Sequence, residues 1–329
     1  MGEGLGTVTK LQPVIIIAVA IIGVVLGQLV FFKDNLGVLM EPFLMVLLFL
    51  IFLKIDVQDI GKSFRNVKFT LTSLAINFIW TPFFAIGLGL IFLGDIDMRI
   101  GFLMLLATPC TDWYLVFTAM TKGNVPLSTA LLPLNLVLQV VLLPVYLFLL
   151  IGTNSSFDMG PILMSIVYVL VIPFVLANIV KFIIVRTKAK EKFLSVMDTQ
   201  GDNLQLLFLC LAVVAMFASQ GEMIVDNPVL LIKMLIPLGI FFIFNFILAQ
   251  IVGKSLKYPF PDTISLSFTT LARNSPLALA IAVAAFPDQP LIALVLVVGP
   301  LIELPVLSLV SHVLSHMRVK RENEQNAPL

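Results

Sequence analysis

The sequence predicts an all-α membrane protein of ten transmembrane helices, arranged as two inverted five-helix repeats with broken, crossing fourth and ninth helices. Three observations lead there. The 329 residues are 60% hydrophobic and only 12% charged, with a mean hydropathy of +1.09. A soluble chain of this length needs a polar shell that such a composition does not supply. The apolar residues gather into stretches close to the ~20 residues that a helix needs to cross the hydrocarbon core. Two of these stretches, far apart in the chain, are interrupted at mid-length by a proline among polar residues. They read Ala107-Thr108-Pro109-Cys110-Thr111-Asp112-Trp113 and Ala272-Arg273-Asn274-Ser275-Pro276-Leu277.

The first span covers about 11–32. It is too long for the core of a signal peptide and no small-residue cleavage site follows it, so it reads as retained. Spans at about 36–55 and 69–93 follow, separated by the basic stretch that holds Lys54, Lys62, Arg65 and Lys68. The fourth, at 100–120, contains the first break. Only Thr121–Val125 separates it from the fifth at 126–151, so these two are antiparallel neighbours. The second half repeats the scheme with spans at 161–185, a short 204–219, 230–252, 263–286 with the second break, and 291–316 after Pro287–Pro290. The repeats are therefore 1–152 and 153–317, with a cytoplasmic tail at 318–329 that reads as disordered from about Val319.

Basic residues set the orientation. Lys10, the Lys54–Lys68 group, Lys122, the Lys181–Lys192 group, Lys254, Lys257 and the Arg318–Arg321 group all fall on one side of a ten-span topology. The other side receives Lys33 and Arg99, while Lys233 and Arg273 lie in or beside spans. Both termini are thus expected in the cytoplasm, with the protein multi-pass in the cell membrane. The spacing Pro109–Pro133 equals the spacing Pro276–Pro300, at 24 residues, which pairs the fourth span with the ninth and the fifth with the tenth. Five spans per half is an odd number, so the halves enter the membrane in opposite directions. In such repeats the substrate site lies near the midplane, at discontinuous helices.

Both breaks carry helix-start residues. Thr108 can cap with Pro109 in the first turn, and Asn274 or Ser275 can cap ahead of Pro276. Helix starts direct free N–H groups inward and favour electron-rich ligands. The plain alternative is a packing kink satisfied by neighbouring helices. Arg273 at bilayer depth needs a counter-charge, and Asp112 and Glu303 are the candidates. The pair either locks two helices together or switches with protonation. Glu303, between Pro300 and Pro305 in an apolar segment, is suited to proton coupling. Cys110 follows the first break, where a helix N-terminus favours the thiolate, and a thiolate suits a soft metalloid. Cys210 reads as a small hydrophobe. Asn135 and Gln139, one turn apart, face either a cavity or another helix. His312 and His316 are also one turn apart and read as residues ending the last span, with a metal pair as the alternative.

The stretch from Cys110 through Lys122-Gly123-Asn124 to Leu134-Asn135 and Gln139 resembles the arsenite efflux carriers of the arsenical-resistance family. So does Gly299-Pro300-Leu301-Ile302-Glu303-Leu304-Pro305-Val306-Leu307. These carriers belong to the bile acid/sodium symporter superfamily. The resemblance implies ten spans in a core and a panel domain, a functional cysteine at Cys110 and a functional carboxylate at Glu303. It departs at Pro109, where the carriers usually have a basic residue, and at Leu277-Ala278, where no carboxylate follows Asn274. The sodium ligands of the sodium-coupled branch fall on Tyr114, Leu115 and Thr269, which are poor replacements, so a proton is expected as the coupling ion rather than sodium.

The expected function is secondary transport, with arsenite or antimonite exported against protons. Symport of an organic anion, held by the helix starts and Arg273, is the alternative. The expected substrate-binding residues are Cys110, Thr108, Thr111, Asn135, Gln139, Asn274 and Ser275, with Asp112, Arg273 and Glu303 for charge pairing or proton coupling. Neither a cofactor nor a resident metal is expected, and Cys110 is the candidate metalloid ligand. Zinc-ligand, serine–base and paired-aspartate patterns are missing at membrane depth, which argues against an intramembrane enzyme. The net charge of +1 gives no reason to expect a nucleic-acid partner.

Overall fold

The computed structural model describes residues 15, 18–54, 66–110, 113–151, 159–187, 190–226 and 228–325, and these are helical almost throughout. A helix at 18–26 (α1) is followed by α2 (Val30–Lys54), α3 (Val67–Ala75), a π segment (Ile76–Trp80), α4 (Thr81–Phe92), α5 (Ile96–Leu106) and α6 (Trp113–Met120). Then come α7 (Val125–Ile151), α8 (Met159–Val185), α9 (Lys190–Asp226), α10 (Pro228–Ser255), α11 (Phe260–Leu271), α12 (Ser275–Ala285) and α13 (Pro290–Gln325). Among the described residues five helices are each long and apolar enough to cross a membrane: Val30–Leu53, Val67–Phe92, Val125–Leu150, Ile232–Ser255 and Pro290–Val319. The pair Glu191–Gly201 and Asn203–Ser219, bent by 51°, makes a sixth if taken as one span. The chain is a multi-pass helical membrane protein.

Three sequence expectations need correction. The first span was placed at 11–32, but a turn at 27–29 ends α1 and Val30 already belongs to α2. The short seventh span at 204–219 matches the segment Asn203–Ser219 closely, but the helix itself is longer and runs from Lys190 to Asp226 as α9. The helix extends N-terminally through 190–203, with a 51° bend between Gly201 and Asn203. The tail expected to be disordered from Val319 is helical through Gln325, because its Arg, Lys, Glu and Gln residues extend α13. Thr111 and Asp112 lie outside the described residues.

The chain forms two compact units, each drawing on both halves of the sequence. The first comprises Met1–Asp56, Ile151–Lys233 and Ser275–Leu301. In it α2 packs along α9 and α8, and α12 lies on α8 and α2. Gly23 and Gly27 let the end of α1 come close to α9. A Cβ at Gly27 would stand 2.3 Å from the Ala218 carbonyl oxygen, and one at Gly23 would stand 2.7 Å from Phe217 Cβ. Small residues permit such backbone approach in lipid. Gly27→Ala is therefore expected to destabilise this unit by about 1–3 kcal/mol, the usual cost of overpacking. A lower melting temperature in detergent would show it, and an unchanged one would refute the packing.

The second unit comprises Val57–Leu150, Met234–Asn274 and Ile302–Leu329. Residues 100–110 and 263–275 are buried without interruption, so α5 and α11 are surrounded by protein rather than lipid. α11 is also rich in hydroxyls, which return to their own helix. Ser267 Oγ donates to Thr263 O at 2.8 Å, Thr269 Oγ1 to Ser265 O at 2.7 Å, and Thr270 Oγ1 to Leu266 O at 2.8 Å. The π segment interrupts the α3–α4 rod, and Tyr146 of α7 donates its hydroxyl to the Phe78 carbonyl there at 2.5 Å.

Candidate functional site

The two breaks meet inside the second unit. Pro109 and Arg273 form an antiparallel bridge. Cys110 N–H donates to Ala272 O at 3.0 Å, and Asn274 N–H donates to Thr108 O at 2.7 Å. Backbone that has left the helix must find partners within the protein at this depth, and here each break supplies them to the other.

The ends of the helices entering the crossing are equally well satisfied. A helix leaves its last four carbonyls without internal partners. In α5, Leu103 O accepts from Ala107 N–H at 2.8 Å. Met104 O and Leu105 O share the Thr108 hydroxyl at 2.9 and 3.2 Å, and Leu106 O accepts Arg273 Nη1 at 2.8 Å. In α11, Phe268 O accepts Ala272 N–H at 3.0 Å, and Thr269 O accepts Asn77 Nδ2 at 3.2 Å. Thr270 O accepts Asn245 Nδ2 at 3.4 Å together with Arg273 Nη2, and Leu271 O accepts Arg273 Nε at 3.2 Å.

This geometry revises several sequence roles. Thr108 was expected to cap the second half of the fourth helix with Pro109 in its first turn. α5 ends at Leu106 and Pro109 is bridged to Arg273, so Pro109 does not open a helix; Thr111 and Asp112, ahead of α6, lie outside the described residues. Thr108 instead closes the end of α5. Arg273 was expected to have Asp112 or Glu303 as its counter-charge; Asp112 lies outside the described residues, and Glu303 stands against the Arg273 main chain rather than its guanidinium. The guanidinium bonds go to main-chain carbonyls and to Asn77 Oδ1 at 3.3 Å, with the Phe241 ring 5.1 Å from Cζ. Glu303, buried in α13, accepts the main-chain N–H of Arg273 on Oε1 at 2.8 Å.

Cys110 is 4% exposed. Its Sγ accepts at 3.3 Å the N–H of Trp113, the first described residue of α6. Asn135 and Gln139 are fully buried on one face of α7, and all four of their side-chain polar atoms are unpartnered among the described residues. Among the described residues no hydrogen bond joins them to the crossing. Ser275 opens α12, which belongs to the first unit, and its Oγ is also unpartnered among the described residues. Two positions named for sodium elsewhere are engaged. Tyr114 donates its hydroxyl to Ser128 O at 2.9 Å, and Thr269 donates to its own helix.

Sequence reasoning missed Asn77 and Asn245. Asn77 lies in the π segment and reaches both the Thr269 carbonyl and Arg273. Asn245 accepts Trp80 Nε1–H at 2.9 Å while donating towards Thr270 O. Each is a lone asparagine in an apolar span, which is the signal that was available. Asn77→Ala would strand the Thr269 carbonyl and one guanidinium N–H, at about 1–3 kcal/mol per buried group. A lower melting temperature is expected for the purified protein; a wild-type melt would contradict the network.

The model of the sodium bile acid symporter family matches residues 41–227. The chain is 26% identical over 329 residues to the arsenical-resistance protein Acr3 of Alkaliphilus metalliredigens, covering 93% of this chain and 92% of that protein. It is 28% identical over 247 residues to Acr3 of Corynebacterium glutamicum, covering 71% and 66% respectively. A further relative at 24% over 294 residues, covering 83% of this chain and 77% of that protein, is the uncharacterized transporter slr0944 of Synechocystis.

Proposed function

The chain belongs to the sodium bile acid symporter family, and on that premise we propose that it exports arsenite or antimonite across the cell membrane in exchange for protons. It is a transporter, not an enzyme. One observation carries the substrate: a buried thiol at the crossing of two broken helices, with the Trp113 N–H on its sulfur. An N–H donor stabilises the thiolate, and a thiolate is the soft ligand that trivalent arsenic and antimony prefer. A single thiolate also suits a carrier, which must release what it binds. The relatives named for arsenical resistance support the same choice.

The amides of Asn135 and Gln139 fit this substrate. Arsenite at neutral pH is an uncharged trihydroxide whose hydroxyls both donate and accept, as the two amides do. An organic anion would need donors, and the Arg273 guanidinium that the rival reading relied on is directed at carbonyls. Ten spans in two inverted repeats, with a core moving against a panel, remain our reading of the architecture. It is supported by the antiparallel pairing of the breaks and by the mixing of both halves in each compact unit.

The test is arsenic accumulation in cells that lack their own arsenite exporter. Cells expressing the protein should hold less arsenic and grow at higher arsenite than cells with an empty vector. Equal accumulation at verified membrane expression would reject the proposal.

A further inference from the structure

The buried Arg273 side chain is met by hydrogen-bond acceptors and by a π face. Its side chain donates to Leu106 O at the end of α5, to Thr270 O and Leu271 O at the end of α11, and to Asn77 Oδ1. Phe241 presents its ring on the same guanidinium. No carboxylate oxygen accepts from the guanidinium among the described residues; Glu303 is engaged by the main-chain N–H instead. Beside the Glu303 carboxylate on its main chain, the guanidinium is met directly by the two helix ends, which supply counter-charge of their own. Each helix C-terminus carries about half a negative charge, so two of them together offset about one positive charge. Two C-terminal ends converging in a buried, lipid-enclosed interior define a place for one monovalent cation.

We propose that the Arg273 guanidinium is a tethered cation, filling from within the chain the cation position created by the converging ends of α5 and α11. An inorganic cation is then neither required nor admitted there, and the crossing is held together in every step of a transport cycle by a charge that cannot leave. Arg273 is a positioning residue, because its bonds hold the two helix ends and with them the main chain that pairs with Cys110. The inference deepens the transport reading at the level of the coupling ion, but its principal test needs no substrate and stands if arsenite proves wrong.

The experiment is thermal denaturation of purified protein in detergent, at fixed ionic strength, with sodium, potassium, methylguanidinium or bulky choline as the chloride salt. The wild type should show no saturable stabilisation by sodium, potassium or methylguanidinium over choline, apart from the general denaturing effect of a guanidinium salt. Arg273→Ala should melt lower and recover saturably with methylguanidinium or a small inorganic cation, but not with choline. Absence of any recovery over choline would overturn the proposal, and so would specific stabilisation of the wild type by sodium. Where Arg273→Ala gives no folded protein, Arg273→Lys and Arg273→Gln decide between charge and size. The lysine variant should be the more stable and indifferent to added cations; a lysine variant no better than the glutamine variant would overturn the proposal.

Discussion

Cys110→Ser is expected to abolish arsenite export while leaving the fold intact. A serine Oγ can still accept the Trp113 N–H, and Cys110 N–H keeps its bond to Ala272 O. Stability should then change by no more than about 1 kcal/mol. What is lost is the only soft donor at the crossing among the described residues. Removing a neighbour that merely supports a metal ligand costs roughly 10–100-fold in affinity or activity, so removing the ligand itself should cost about 100-fold or more. Cys210→Ser is the control. Cys210 is half-buried in α9, and export by that variant should match the wild type. The measurement is initial-rate arsenite efflux from preloaded cells, normalised to membrane expression. Normal efflux by Cys110→Ser would remove the thiolate from the mechanism.

Glu303→Gln is expected to disconnect transport from the pH gradient. Glutamine keeps an oxygen that can accept the Arg273 main-chain N–H, so the geometry survives. It cannot take up or release a proton, so a carrier that couples through this residue loses its driving force. Arsenite movement down its own gradient should persist or fall, but acidifying one side should no longer accelerate it. Replacing sodium by potassium should leave wild-type rates unchanged, because Tyr114 and Thr269 already donate their hydroxyls within the protein. Strict sodium dependence, or an undiminished pH response in Glu303→Gln, would place the coupling elsewhere.

The crossing was legible because polar residues and proline are rare at bilayer depth and cluster where the helix must break. Thr108, Pro109, Cys110, Arg273 and Asn274 could all be picked out on that ground, and they converge in one unit. Their individual roles were less legible. A carboxylate near Arg273 could be anticipated on charge alone, and Glu303 does stand on its main chain, but the carbonyls of two helix ends that the guanidinium engages leave no mark in composition. Thr108 looked like a helix start because Ser and Thr favour that place, but a threonine hydroxyl can equally bond back three or four residues, as it does on Met104 and Leu105. The π segment escaped notice since one extra residue in an apolar helix alters no hydrophobic pattern. The helical tail beyond Val319 was missed because charged residues favour helix and disorder alike.

The most direct measurement is arsenite uptake into everted membrane vesicles carrying the wild-type protein. With an acidified lumen, arsenite should accumulate, the accumulation should collapse on adding a protonophore, and exchanging sodium for potassium should not alter it. No accumulation above empty-vector vesicles under any proton gradient, with uptake of an organic anion in its place, would contradict the account.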